Sequence, residues 1–485
     1  MTSPYEVPAS KEQFAELLPA TRRALLHRLA VGQNAGRAPS MVGAVMREGR
    51  MVWAEGYGAV DGQVPGADTQ YRIGSLTKTF VAVLVLRLRD EGLIDLDDPL
   101  GKHLDTPEGG DATIAQLLAH TSGLAAEARG PWWERTDGAL RPELADIFGE
   151  RPQRHPVGRT HHYSNPGFAL LGALVERLRG DDWGTVLRRE VLEPLGMDRT
   201  TLGPEAPHAA GWAVHPWADV LLPEPAVNTG RMAPAGELWS TAADLCRFAA
   251  FLLNGDAPNG DSQNGDSQNG DSPNSAGRVL SEQSLAEMRV PAVGPQDPEW
   301  VRGYGLGVQV TRQNGRILFG HCGSMPGFVS ALWISPDEAL AGVALANLTN
   351  GFEVAGLASD LVSTVAEHEP RIPAPWRPLD EADPELLELT GPWYWGATPF
   401  ALRLGAERGL ELSPVAGGGR GARFRAEADG TWTGLDGYYA GETLRAVRTP
   451  AGALSHLDLG TFVFTREPYE PGDAVPGGVD KGGWR

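Results

Sequence analysis

Lysine is scarce in this sequence. It occurs only at Lys11, Lys78, Lys102 and Lys481, and arginine supplies the rest of the 42 basic residues. A lysine that falls inside a chemically useful pattern is therefore hard to dismiss as background. Cysteine is scarcer, limited to Cys246 and Cys322. Two distant cysteines exclude a framework of disulfides. Cys246 lies in the helix-like stretch TAADLCRFAAFLL and reads as a small core residue. Long apolar runs are missing too, and the longest, Phe80 to Leu86, is far too short to span a bilayer. Residues 1–30 hold Glu6, Lys11, Glu12, Glu16, Arg22, Arg23 and Arg28 without an unbroken apolar stretch, so no export signal is read and a cytoplasmic location is expected. Positive charge is in deficit overall. The formal net charge of −20 argues against nucleic acid or an anionic membrane as partner.

What is present is the composition of a globular protein, with 41% hydrophobic and 21% charged residues. A length of 485 residues implies more than one structural unit. Helical periodicity runs over residues 12–31, with Pro19 as an expected interruption. MVGAVMREGRMVWAEGYG reads as two strands joined at Glu48-Gly49. After YRIG, a long apolar helix is expected from Ser75. Residues 113–145 read as helix, loop and helix. Residues 240–254 read as a helix capped by Ser240. The repeat NGDSQ, NGDSQ, NGDSP lies in a segment, 254–277, with almost no apolar side chains, and is expected to be a flexible surface insertion. YGLGVQV, RILFGH, FVSALWI and LAGVALA then alternate as antiparallel strands, followed by a helix near 353–366. The expected fold of residues 1–366 is α+β, an α/β sandwich whose mixed, mainly antiparallel sheet is flanked by helices with an all-helical subdomain. Residues 367–385 have the composition of a linker. Short alternating strands over 386–467 imply a small β-domain, and 468–485 reads as a disordered tail.

Three patterns carry chemistry. Ser75-Leu76-Thr77-Lys78 is S-x-x-K. On a helix, residues three apart share a face, so the lysine amine sits beside the serine hydroxyl. A serine needs a base to become a nucleophile, and a desolvated lysine can serve. The apolar stretch FVAVLVL supplies buried surroundings. Tyr163-Ser164-Asn165 is a Y-x-N turn that can place a phenol for proton relay beside an amide for holding substrate. His321-Cys322-Gly323-Ser324 ends a strand. His321 offers a side-chain donor, Gly323 close backbone approach for a substrate, and the backbone N–H groups of Ser75 and Ser324 a possible pair of oxyanion donors.

Together these motifs resemble the serine β-lactamase and DD-peptidase superfamily, in its class C-like branch. LLAHTSGL at 117–124, GFALLGALVE at 167–176 and PAGELWSTAADLCRF at 234–248 extend the resemblance over roughly residues 10–365. It implies Ser75 as nucleophile, Lys78 as base, Tyr163 as proton relay, Asn165 as ligand of substrate and lysine, and His321 as the donor of the third motif. Many β-lactamases carry lysine where His321 stands, and histidine there looks more like esterases, D-aminopeptidases and peptide cyclases. Trp132 and Trp133 are candidates to line the cleft, with ordinary packing as the alternative. Cys322 lacks a dedicated base, and adjacent His161 and His162 have no matching ligands, so no metal and no cofactor is expected.

The resemblance implies a small-molecule or peptidyl (thio)ester substrate. The leading reading is a stand-alone thioesterase that releases a nonribosomal peptide with a D-configured acyl residue by head-to-tail macrocyclisation, with a lipocalin-like β-barrel after the catalytic domain. A peptidyl carrier protein would then be a partner, and Arg420, Arg423 and Arg425 a basic patch for it. The alternatives are a cytoplasmic esterase or D-amino-acid amidase, and a catalytically idle binding module.

Overall fold

The computed structural model describes residues 16–255, 278–292, 302–349, 353–373, 375–376, 378–379, 383–405, 409–470, 472–474 and 476. Two compact units emerge, one spanning Lys11–Arg371 and the other taking up Ile372–Arg485. Most of the expected insertion and tail, and part of the linker, lie outside the described residues.

In the first unit, helix α1 (Pro19–Gly36) leads to strands β1 (Ser40–Arg47) and β2 (Arg50–Gly58). Pro19 opens α1 instead of interrupting it, because a proline in the first turn gives up an N–H that has no helical partner. Glu48 and Gly49 both take positive φ, as the expected hairpin turn requires. Short strand β3 (Tyr71–Arg72) is followed by a 3-10 turn, Gly74–Leu76, and then by helix α2 (Thr77–Asp90). Helices α3 (Ile114–Leu118), α4 (Asn165–Arg179) and α5 (Trp183–Leu187) build the helical part. The second helix expected before residue 145 does not form. Gly123, Gly130, Pro131, Gly138 and Pro142 break the segment into 3-10 turns at Trp133–Arg135, Gly138–Leu140 and Leu144–Ile147.

Strands β4 (Gly211–Val214) and β5 (Leu221–Glu224) form a ribbon, and β6 (Trp239–Ser240) pairs with β3. Ser240 therefore belongs to a strand. The cap of helix α6 (Ala242–Asn254) is Thr241, whose side chain accepts from the Asp244 N–H. Helix α7 (Glu282–Met288) precedes β7 (Arg302–Tyr304), β8 (Gln309–Gln313), β9 (Arg316–Met325), β10 (Phe328–Ser335), β11 (Leu340–Ala346) and helix α8 (Val354–His368).

The main sheet has the order β2-β1-β11-β10-β9-β8-β7, and its pairs are antiparallel. Alternation along β1 sends Met41 and Val45 toward the core formed with α1 and α8, and Val42, Ala44 and Met46 toward the core formed with α2 and α6. The pairing of β8 with β9 reaches only Gly320. Beyond it, His321 to Met325 are paired by β10 alone, and that bare edge meets the Gly74 turn.

The second unit opens with helix α9 (Pro384–Leu389), which includes the last two residues of the expected linker. Its strands are β12 (Gly391–Trp395), β13 (Thr398–Leu404), β14 (Leu410–Pro414), β15 (Ala422–Ala426), β16 (Trp432–Gly434), β17 (Thr443–Arg448), β18 (Leu454–Leu459) and β19 (Phe462–Phe464). Each pairs with the next in antiparallel fashion. A bridge between Tyr394 and Thr465, with N···O distances of 2.8 and 2.9 Å, brings the two ends together into a nearly closed barrel. Large side chains fill the interior, among them Trp393, Phe400, Phe424, Trp432, Tyr439 and Phe464.

Candidate active site

The nucleophile candidate sits on a strained turn. Gly74 has φ +54°, and a Cβ there would lie 2.6 Å from the backbone N of Ser324. Only glycine permits this approach of turn to strand. Ser75 follows in the 3-10 turn, and Lys78 lies on the first turn of α2 with its Nζ 3.1 Å from Ser75 Oγ. The Ala235 carbonyl accepts from the same Nζ at 2.6 Å. Lys78 is wholly buried. Burial pushes its amine down to about 7, against the opposing pull of the Glu127 and Glu134 carboxylates. A neutral amine beside a half-exposed serine is the arrangement general-base catalysis requires.

Tyr163 and Asn165 enter from the start of α4. The Ser164 side chain caps that helix by accepting from the Gly167 N–H at 3.1 Å. The Ser164 N–H in turn donates to Nδ1 of buried His120 at 3.0 Å, which holds the Y-x-N turn in place. Lys78 Nζ stands 4.9 Å from the Tyr163 ring centroid. Burial raises the Tyr163 pKa, offset in part by an interaction with the Ser75 hydroxyl, so the group remains a phenol at neutral pH. Asn165 gives its Nδ2 to Glu127, at 3.1 and 3.0 Å from the two carboxylate oxygens. The expected contact from Asn165 to the lysine is replaced by this carboxylate contact.

His321 departs from its expected role. It is 1% exposed. Its Nδ1 faces the Cys322 carbonyl at 2.5 Å and must carry the proton, so Nε2 accepts from the Tyr304 hydroxyl at 2.9 Å. Both nitrogens are engaged, which leaves no donor for a substrate. Burial, with a smaller push from Lys78, drives its pKa down to about 3, so the ring is neutral. His321 thus packs into a buried layer with Tyr304, Tyr163 and His120. Gly323 is corrected as well. The space of its missing Cβ is taken by the Ile73 carbonyl, at 1.9 Å from where that atom would be, so the close approach it permits is internal. Cys322 lies on the opposite face of the sheet, against the α1 and α8 core, and burial pushes its thiol up to about 12.

The two tryptophans divide. Trp133 is 7% exposed and donates its Nε1 to Glu127 at 2.7 Å, so it supports a carboxylate and does not present a free cleft wall. Trp132 is 51% exposed, donates to Glu134 at 2.6 Å and stacks under Arg135. Glu127, Glu134, Tyr304 and the Ala235 carbonyl were not singled out in the sequence. The basic patch is partly neutralised, since Arg423 pairs with Asp436 and Arg425 with Glu427, while Arg420 lies over Tyr438. Among the described residues no group of histidine, cysteine and acidic side chains could hold a metal ion, and no helix is long and apolar enough to cross a membrane.

A serine and a buried lysine of lowered pKa on one turn, with a tyrosine beside the lysine and a sheet edge alongside, define a serine hydrolase of the β-lactamase and penicillin-binding-protein type. The chain belongs to the Beta-lactamase family, which matches residues 23–366 and whose members are serine hydrolases and acyltransferases. Residues 382–466 match a domain of unknown function, DUF7586. Penicillin-binding protein 4 of Amycolatopsis lactamdurans is 30% identical over 309 residues, 61% of this chain and 75% of the relative. Beta-lactamase-like protein 2 of Dictyostelium discoideum is 29% identical over 44% of this chain and 42% of its own length. Among solved structures, SurE with D-Leu has a TM-score of 0.55 at 25% identity, covering 92% of this chain and 100% of that one. The D-stereospecific amidohydrolase from a Streptomyces species has a TM-score of 0.56 at 25% identity, over 72% of this chain and 99% of that one.

Proposed function

We propose that this chain forms an acyl-enzyme at Ser75 and acts on acyl donors with a D-configured acyl residue. The observation that carries the reading is the 3.1 Å approach of a buried Lys78 amine, with its pKa near 7, to Ser75 Oγ. In acylation the Ser75 proton passes to Lys78 Nζ as Oγ bonds to the acyl carbon. The resulting oxyanion faces the backbone N–H groups of Ser75 and Ser324, a pairing supported by the contact of Gly74 with Ser324. Tyr163, held as a phenol, relays a proton to the leaving group, and the carbonyl re-forms as that group departs. The D configuration is suggested by the similarity to SurE with D-Leu and to the D-stereospecific amidohydrolase.

Two acceptors can complete the reaction. The leading reading is attack by the substrate's own amine, which cyclises a nonribosomal peptide delivered as a thioester, with a peptidyl carrier protein as its donor. An α-amine has an ordinary pKa of about 7.7–8.0, close to that of Lys78, so proton transfer between them is nearly balanced. The second reading is attack by water, which makes the protein an esterase or D-amino-acid amidase. The similarity to the D-stereospecific amidohydrolase favours it. A cytoplasmic location remains part of the first reading.

The deciding experiment incubates the protein with a peptidyl thioester ending in a D-residue and reads product mass, with Ser75→Ala as control. A product one water lighter than the linear acid, absent in the control, establishes cyclisation. Linear acid alone establishes hydrolysis. No Ser75-dependent product from thioesters, esters or amides refutes the acyl-enzyme reading.

A further inference from the structure

The lip of the site has more acceptors than donors. Glu127 is exposed and Glu134 partly exposed, and both act electrostatically on Lys78. Neither forms an ion pair among the described residues, whereas the nearby Glu224 and Glu237 pair with Arg135 and Arg72. The two carboxylates also repel one another, and Glu127 helps desolvation hold the Glu134 pKa up. Tryptophan N–H groups anchor both, Trp133 on Glu127 and Trp132 on Glu134. Arg72 and Lys78 offset this repulsion only in part, since Glu134 is held up on balance and the covered Arg72 side chain pairs with Glu237 and not with either carboxylate.

Asn165 gives an independent indication. It is 7% exposed, its Nδ2 is committed to Glu127, and its Oδ1 is buried without a hydrogen-bond partner. A buried amide oxygen left bare is destabilising unless a ligand satisfies it. The groups left for a ligand are therefore an amide oxygen and two carboxylates, all acceptors. A ligand group that meets them must donate hydrogen bonds and carry positive charge. An ammonium does both, with three N–H donors arranged for three acceptors. A substrate carboxylate would meet only repulsion there.

We infer that Glu127, Glu134 and Asn165 form an ammonium subsite, so that the preferred acyl donors carry a free primary amine close to the scissile carbonyl. The inference rests on the acyl-enzyme reading above and narrows it from D-acyl donors in general to aminoacyl ones, which favours the amidase and esterase reading over cyclisation of a peptidyl donor. With its pKa lowered to about 7, Lys78 is partly unprotonated at neutral pH, which lessens its repulsion of an incoming cation.

The test separates binding from turnover. Calorimetry on the Ser75→Ala protein compares D-phenylalanine amide with N-acetyl-D-phenylalanine amide. The free amine is expected to bind about tenfold tighter or more, and the preference to vanish when Glu127→Gln is added. Glu127→Asp, which keeps the charge, retains part of the preference, and this guards against a variant that merely misfolds. Equal binding of the two amides overturns the subsite, as does a preference that survives both Glu127→Gln and Glu134→Gln. In parallel, Ser75-dependent release of p-nitrophenol from p-nitrophenyl acetate reports the acyl-enzyme itself. Its presence without an amine preference sinks the subsite alone, while its absence sinks the underlying reading and the subsite with it.

Discussion

The interiors of the two units are built on opposite rules. The barrel encloses aromatic and aliphatic side chains, from Trp393 and Phe400 to Leu457 and Phe464. The first unit buries Lys78, His120, His321, Arg72 and Glu237, and leaves polar atoms of His120, Arg72 and Asn165 without partners. Charged and polar groups are costly to bury, so their concentration on one seam marks where stability has been given up for chemistry. Among the described residues the barrel makes a smaller concession, with Trp432 Nε1 left buried without a partner, and its contribution lies in packing.

That contrast can be broken most sharply at Ser75. Ser75→Ala is expected to lower kcat by about a thousandfold or more with an unchanged unfolding midpoint, measured by steady-state kinetics and thermal denaturation. Phe424→Ala in the barrel is expected to do the converse, lowering stability by about 3–5 kcal/mol as read from denaturant midpoints. A catalytic loss from Phe424→Ala larger than its stability effect explains would overturn the division. The pH dependence sharpens the comparison further. Lys78 is a base only when neutral, and its pKa is lowered to about 7. The logarithm of kcat/KM should therefore fall by about one per pH unit below 7 and level off above it. A profile flat down to pH 5 would remove lysine as the base. The smallest effect is expected at Tyr304. Tyr304→Phe leaves the His321 Nε2 acceptor unpaired and should cost about 1–2 kcal/mol of stability. If Tyr304→Phe instead abolished turnover at intact stability, the aromatic layer would belong to the chemistry.

The sequence announces the part of the site that depends on local spacing. Ser75 and Lys78 meet because three residues is nearly one helical turn, and no distant contact can alter that. The hairpin at Glu48-Gly49 is legible for the same reason. His321 shows where such reading stops. Its residue type and strand were visible, but which partner its ring meets depends on Tyr304, delivered by another strand of the same sheet. Glu127 and Glu134 come from a segment broken by glycine and proline, with no periodicity to read. Their importance exists only once Asn165, Trp133 and Trp132 have been brought alongside. The helix cap at Thr241 in place of Ser240 is a smaller case, since both residues can cap and the pairing of β6 with β3 assigns Ser240 to a strand.

The contact between Gly74 and Ser324 also bears on how the site could be transplanted. The four letters of S-x-x-K are not a portable unit. Ser75 reaches its place only because the residue before it has no side chain to hold the turn away from the sheet, and Gly323 has none to hold the strand away from Ile73. A graft onto another scaffold would have to carry both glycines and the one-edged stretch of β9 that meets the Gly74 turn. By the same logic a single methyl group added at position 74 could silence the protein while leaving every catalytic side chain intact.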